Sequence, residues 1–570
     1  MKITGQVAVT VIALILGGCF TPTETPELEK QFEAVQVTDR AEQQVLEQQD
    51  DPVQAAPIKA LAQQKTAGSV IRTRANARIV GGAVPMPTLL DHSAAPPGKW
   101  NRESYNALQE NGFINANNDP LSTFSIDVDT ASYSNIRRFI NQGSLPPAGA
   151  VRIEEMINYF SYSYPQPQGK HPFSVTTELG PCPWNNGHKL VRIGLKAKDI
   201  DKKDLPPSNL VFLIDVSGSM SAPDKLPLLK KSIKMLVQQL DKNDRVSMVV
   251  YAGSDRVVLE PTSGDKRKQI FDAIDALGPG GSTHASKGIL TAYKLAEQVK
   301  MPGGNNRVIL ASDGDFNVGV TSRGELLKLI ENKRKSGIYL TVLGLGMGNY
   351  HDDTMELLAD AGNGNYSYID NLLEAKKVMV KEMSGTLFSL ADDVKIQVEF
   401  NPAIVGAYRL IGYENRVLAD EDFNNDTKDA GEIGVGHTVT ALYEIIPSDA
   451  SDVPRIDPLK YQRVTAIKKA GATDELMTVK LRYKPANRST SQLISTVVHN
   501  REIQLASTSD DFRFASAVAG YGMVLKDSPF RKNFDFDDIL TLARGARGND
   551  DQGYRAEFIR LVETSQLLSH

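Results

Sequence analysis

Residues 209–215 read Asn-Leu-Val-Phe-Leu-Ile-Asp, an unbroken apolar run that ends in a carboxylate. A strand that is apolar on both faces belongs inside a parallel sheet with helices over each side. The next stretch supplies such a cover: Leu229, Ile233, Leu236 and Leu240 recur at helical spacing and form one face of an amphipathic helix over 225–240. The two patterns then alternate. Strands are expected at 245–252, 256–259, 307–312, 338–344 and 365–369, and helices at 266–277, 285–298, 323–335, 352–361 and 372–383. This alternation predicts a doubly wound α/β domain with a mostly parallel sheet over residues 207–386, binding its ligand at the carboxyl ends of its strands.

Three polar clusters fall at such ends. Asp215-Val-Ser217-Gly-Ser219 follows the first strand, Gly278-Pro-Gly-Gly-Ser282-Thr283 precedes a helix, and Asp313-Gly-Asp315 follows the strand at 307–312. Their side chains offer only oxygen, the donor that hard divalent cations prefer. Asp215-x-Ser217-x-Ser219, with Thr283 and Asp313 at their spacings, resembles the metal-ion-dependent adhesion site of a von Willebrand factor type A domain, a Rossmann-like α/β fold. The resemblance implies Ser217, Ser219 and Thr283 as direct ligands, and Asp215 and Asp313 as direct or water-mediated ones. Mg²⁺ is the expected ion, with Mn²⁺ or Ca²⁺ as alternatives. With so few carboxylates the ion keeps much of its charge, which an Asp or Glu of a protein partner would answer.

Enzyme signatures are missing. The segment 281–287 departs from a phosphate-binding P-loop, no Gly-x-Ser-x-Gly surrounds Ser217 or Ser219, and no His-Glu-x-x-His occurs among eight histidines. The chain is therefore expected to be non-catalytic. A metal-dependent hydrolase would have to rest on His284 beside Thr283.

There are two cysteines in 570 residues, so neither a disulfide-dense scaffold nor a thiolate zinc cluster is available. Residues 6–18 form an uncharged run too short to span a bilayer, as in a secretory signal. Leu16-Gly17-Gly18-Cys19 resembles a bacterial lipobox, which implies a signal peptide over 1–18 and acylation of Cys19. The absence of Asp after Cys19 then implies the outer membrane of a bacterial cell envelope. Residues 19–98 carry no sustained apolar period and are expected to tether the folded part to that anchor. Cys182 is left as a buried inert thiol or, alternatively, an intermolecular partner. The net charge of −5 provides no basic field for nucleic acid.

Two flanks remain, expected as an α+β N-terminal domain (99–206) and a C-terminal domain, β-rich then helical (387–570). Asp127-Val-Asp129-Thr-Ala-Ser132 reads as a strand end and helix cap, and the acidic run 420–426 as a solvated loop without the Gly and final Glu of a calcium-binding hand. Phe124-Ser-Ile-Asp-Val-Asp-Thr-Ala-Ser-Tyr133, Cys182-Pro-Trp184 and Tyr408-Arg-Leu-Ile-Gly-Tyr-Glu-Asn415 resemble segments of the YfbK-type bacterial lipoproteins. Two functions follow as expectations. One is a lipid-anchored module that grips an acidic ligand through a divalent metal; the other is an envelope assembly factor whose metal site stabilises its fold.

Overall fold

The computed structural model describes residues 103–570 apart from 107, 127–128, 282–284, 315–322, 349, 429, 455–473, 487, 489 and 502. The expected signal peptide, Cys19 and nearly all of the tether lie outside the described residues, as do Asp127, Thr283, His284 and Asp315.

The apolar run forms strand β1 (Ser208–Asp215), every residue of which is buried. After it come α1 (Leu226–Val237), β2 (Arg245–Tyr251), β3 (Asp255–Ser263), α2 (Arg267–Asp275) and α3 (Ala285–Gln298). Then follow β4 (Asn305–Ser312), α4 (Arg323–Lys335), β5 (Tyr339–Leu345), α5 (Asp352–Ala361), β6 (Tyr366–Ile369) and α6 (Leu372–Lys376). The sheet runs β6-β5-β4-β1-β2-β3. Its strands are parallel except that β3 returns antiparallel beside β2. Because β1 side chains alternate between faces, Leu210, Phe212 and Ile214 pack with Leu229, Ile233 and Leu236 of α1, while Val211 and Leu213 pack with Ile289 and Tyr293 of α3.

The helix expected over 372–383 is interrupted. Asn371 caps α6 by accepting from the Leu373 and Glu374 backbone N–H groups, then a π-helical turn fills Lys377–Lys381 before a short helix at Met383–Leu387.

The flanks differ from two domains in series, because their strands are interleaved. One sheet orders Ile114–Asn115, Val405–Ile411, Thr438–Pro447, Lys189–Ala197 and Phe173–Pro181. In the other, Ser389–Phe400 lies between Ile433–Gly434 and Glu475–Pro485, pairs also with Leu121–Ser125, and is followed outward by Gln492–His499. Val191, Leu195 and Tyr443 of the first sheet and Phe124, Ile396 and Leu481 of the second share one core, a β-sandwich built from both ends of the chain. Helices Ala131–Asn141, Ile153–Asn158, Asp510–Leu525, Phe536–Gly545 and Tyr554–Leu568 bury Tyr133, Met156, Phe160, Phe514 and Phe558 together. A sequence-contiguous boundary cannot reveal such sharing, since each strand looks complete alone.

Charged side chains stitch the α/β unit to these flanks. Arg137 binds Asp370, Glu374 and Glu557, and Arg152 binds Glu155, Asp352 and Glu356, mostly in buried surroundings.

Candidate metal centre

Strand order reverses between β1 and β4, which lie side by side and parallel. At such a switch point the loops leaving the two strands diverge and open a crevice. Asp215 ends β1 and Asp313 follows β4, so both carboxylates reach this crevice from neighbouring strands, and both residues are fully buried.

The loop after β1 is held by its own polar groups. Asp215 Oδ1 accepts from the Ser217 backbone N–H at 2.8 Å, and the Ser217 and Ser219 hydroxyls touch at 2.9 Å. Asp215 Oδ2 lies 3.4 Å from the Ser312 hydroxyl, which itself accepts from the Gly314 N–H. Gly314 needs its residue type: φ is +93° and a Cβ would sit 2.8 Å from the His351 nitrogen. Burial pushes the Asp215 carboxyl up to about 6 against the hydrogen bonds from Ser217, and Asp313 pushes in the same direction. Tyr251, buried beside this pair, has its phenol raised well above the ordinary range by burial and then by Asp215. Two buried acids facing each other favour a bound cation.

The glycine loop comes to the same place. Gly280 N–H donates to the Val216 carbonyl at 2.7 Å and Gly218 N–H to the Gly281 carbonyl at 3.3 Å. This ties the chain just ahead of Thr283 to the Asp215 loop, while Thr283 and His284 lie outside the described residues. The structure therefore gathers Asp215, Ser217, Ser219 and Asp313, with Ser219 exposed at the mouth.

Lys225 was not anticipated. Its ammonium donates to Asp313 Oδ2 at 2.7 Å in a buried ion pair. Gly346 makes room for it: φ there is +68° and a Cβ would overlap the Lys225 stem. The available signal was a lysine ten residues after Asp215, at the helix start where a basic residue opposes the helix dipole.

The other sequence candidates have structural duties. Asp129 Oδ1 accepts from the Tyr366 backbone at the start of β6, and Thr130 makes no side-chain cap; the Ser132 N–H is satisfied by Glu155 instead. Asp420 accepts from Thr123, and Asp426 binds Arg482. Cys182 is a buried free thiol, and burial raises its pKa well above the ordinary range.

The donor chemistry fits a hard divalent ion: two buried carboxylates and two hydroxyls, with Lys225 supplying one positive charge from the side. A sheet with such a rim defines a von Willebrand factor type A protein, and residues 209–380 match the von Willebrand factor type A domain family. Domains of this class commonly hold a divalent cation at that rim and mediate protein interactions. Residues 99–192 match a family described as von Willebrand factor, and residues 385–568 match the C-terminal family of the uncharacterized protein YfbK. The chain is 44% identical over 470 residues to the uncharacterized protein YfbK of Escherichia coli (strain K12), a match covering 80% of each chain, and it belongs to the YfbK family. It is also 27% identical over 160 residues to the inter-alpha-trypsin inhibitor heavy chain H2 of Homo sapiens, covering 27% of this chain and 17% of that one. Among solved structures, a von Willebrand factor type A protein from Catenulispora acidiphila is 16% identical, covering 68% of this chain and 89% of that one, with a TM-score of 0.37. No catalytic role attaches to these relatives.

Proposed function

We propose that this protein is a non-catalytic, lipid-anchored component of the bacterial cell envelope that binds an acidic protein ligand through a divalent metal. Asp215, Ser217, Ser219, Thr283 and Asp313 would hold the ion, Mg²⁺ first, and a partner's Asp or Glu would complete its coordination. The meeting of Asp215, Ser217, Ser219 and Asp313 at the switch point carries this reading. When bound, the ion supplies a positive centre for the partner's carboxylate. The chain's own part is to orient the hydroxyls, exclude water from the carboxylates, and limit the site's negative charge through Lys225.

The test is capture from envelope extract by the full-length protein in Mg²⁺. The expected result is a partner released by EDTA and not captured by Ser217→Ala, whose melting temperature without metal stays near that of the wild type. Capture that ignores EDTA and survives Ser217→Ala overturns it. The assembly-factor reading is favoured instead if Asp215→Ala lowers the melting temperature sharply in Mg²⁺ while capture persists. Anchoring is read separately: Cys19→Ser should move the protein from the membrane to the soluble fraction.

A further inference from the structure

At the opposite end of the same sheet lies a different site. Arg307 is the third residue of β4, five positions before Ser312, so roughly 17 Å of strand separates it from the metal crevice. Its residue is only 2% exposed. A buried guanidinium ordinarily sits against carboxylates, as Arg137 and Arg152 do here. Arg307 does not: among the described residues no carboxylate lies within ion-pair distance of it. One terminal nitrogen donates to Thr341 Oγ1 at 2.7 Å and the other to the Leu387 carbonyl at 3.3 Å, both neutral acceptors, and its ring neighbour is Tyr339. Nε is buried with no hydrogen-bond partner among the described residues. Glu432 and Asp392 act on it only from longer range, and burial pushes its pKa down to about 10.

This side chain lines a polar cavity of about 140 Å³ between the amino edge of the sheet and the flanking strands. Asn363, Gly364, Gly431 and Arg416 form other parts of its wall. Arg416 is committed to Glu356 and Asp360. The Asn363 Oδ1 is buried without a partner among the described residues, and rotating the amide presents its N–H groups instead. The wall thus offers an unanswered cation, an amide able to donate, and glycine backbone that admits close approach, around a space that holds a few waters or one small oxyanion.

We propose that this cavity is an anion site in which Arg307 and Asn363 bind a small oxyanion, a phosphate or a carboxylate group, that supplies the missing counter-charge. The site is independent of the metal rim and of the function assigned to it. The anion's two sources share one chemistry: planar or tetrahedral oxygens accepting from Nε and an adjacent guanidinium N–H.

Thermal melting of the full-length protein tests it, with inorganic phosphate, acetate and chloride compared at equal ionic strength in EDTA. Phosphate or acetate should raise the melting temperature by at least ~2 °C over chloride, and Arg307→Met should lose that rise. The larger shift tells a tetrahedral from a carboxylate ligand. Since Arg307→Met could fail to fold, a wild-type crystal soaked in selenate gives a second reading, with an anomalous peak expected within hydrogen-bond distance of Nε. The proposal is overturned if neither oxyanion exceeds chloride, if the shift survives Arg307→Met, or if selenate leaves the cavity empty. Glu432 and Asp392 would then balance Arg307 through intervening water.

Discussion

The two ends of the α/β sheet set opposite electrostatic problems. At the carboxyl end, Asp215 and Asp313 are buried together, and a lysine from the neighbouring loop leans on one of them. At the amino end, a guanidinium is buried with neutral acceptors only. An acid pair with a lysine beside it can stand alone and still improve when a divalent ion arrives. A lone buried cation has no such internal answer and depends on what enters its cavity. The difference teaches that burial of charge within one sheet need not be closed locally: one end is poised for a cation, the other for an anion.

The largest expected effect comes from breaking the pair that is closed. In EDTA, Asp313→Ala leaves Lys225 buried beside an uncharged methyl group, and urea melts should register a loss of about 3–5 kcal/mol. Arg307→Met, in buffer free of oxyanions, should fall within ~1 kcal/mol of wild type, because it removes a charge that no side chain pairs. Equal losses at the two positions would erase the contrast.

A second test uses pH. His437 packs against Gly385, a wall residue of the Arg307 cavity, and its ring is held neutral, its pKa lowered to about 4 by burial, Lys377 and Lys196. Between about 4 and the unfolded value near 6.5, the unfolded chain takes up a proton that the folded chain refuses. The resulting stability is full above pH 6.5 and is lost as pH falls toward 4. Its upper bound is about 3 kcal/mol, reduced by the ring's partial exposure. His437→Gln should flatten that part of the stability profile recorded from pH 7 to 4.

Smaller again is Gly346→Ala. The new methyl meets Lys225 and occupies a positive-φ position, so about 1–3 kcal/mol should be lost in urea melts as the ammonium is displaced from Asp313. The smallest effect on the metal-free fold belongs to Ser217→Ala, about 0.5–1 kcal/mol, since its hydroxyl touches only Ser219. Yet the same change should abolish stabilisation by Mg²⁺ in calorimetry. If it leaves the Mg²⁺ response intact, the crevice is not the metal site.

The α/β unit was legible because its signals are contiguous. The run from Asn209 to Asp215 and the spacing of Leu229, Ile233 and Leu236 each declare a local period, and helices Ala285–Gln298, Arg323–Lys335 and Asp352–Ala361 begin and end where the pattern does. Asp215, Ser217, Ser219 and Asp313 could be collected as candidates because each lies within a few residues of a strand end. The edge strand Gln492–His499 was not anticipated: its mostly half-exposed side chains mark it only weakly, and it is stabilised by pairing with Glu475–Pro485. The π-turn at Lys377–Lys381 was equally hidden, since its apolar positions fit an ordinary helix.

What the sequence determined by itself is the succession of strands and helices, and with it the crevice at the strand ends. Periodicity is a property of neighbouring residues, and a strand followed by a helix and a parallel strand has few ways to pack. What only the tertiary structure decided is which charges meet. Lys225 reads as a basic residue at a helix start until the fold lays it on Asp313, and Arg307 reads as an ordinary opening of a strand until packing buries it away from every acid that could pair with it. The same holds for the flanks, where strands some 200–300 residues apart share a sheet. Electrostatic partnering and strand pairing depend on distances through space, and those are set when the whole chain closes on its cores.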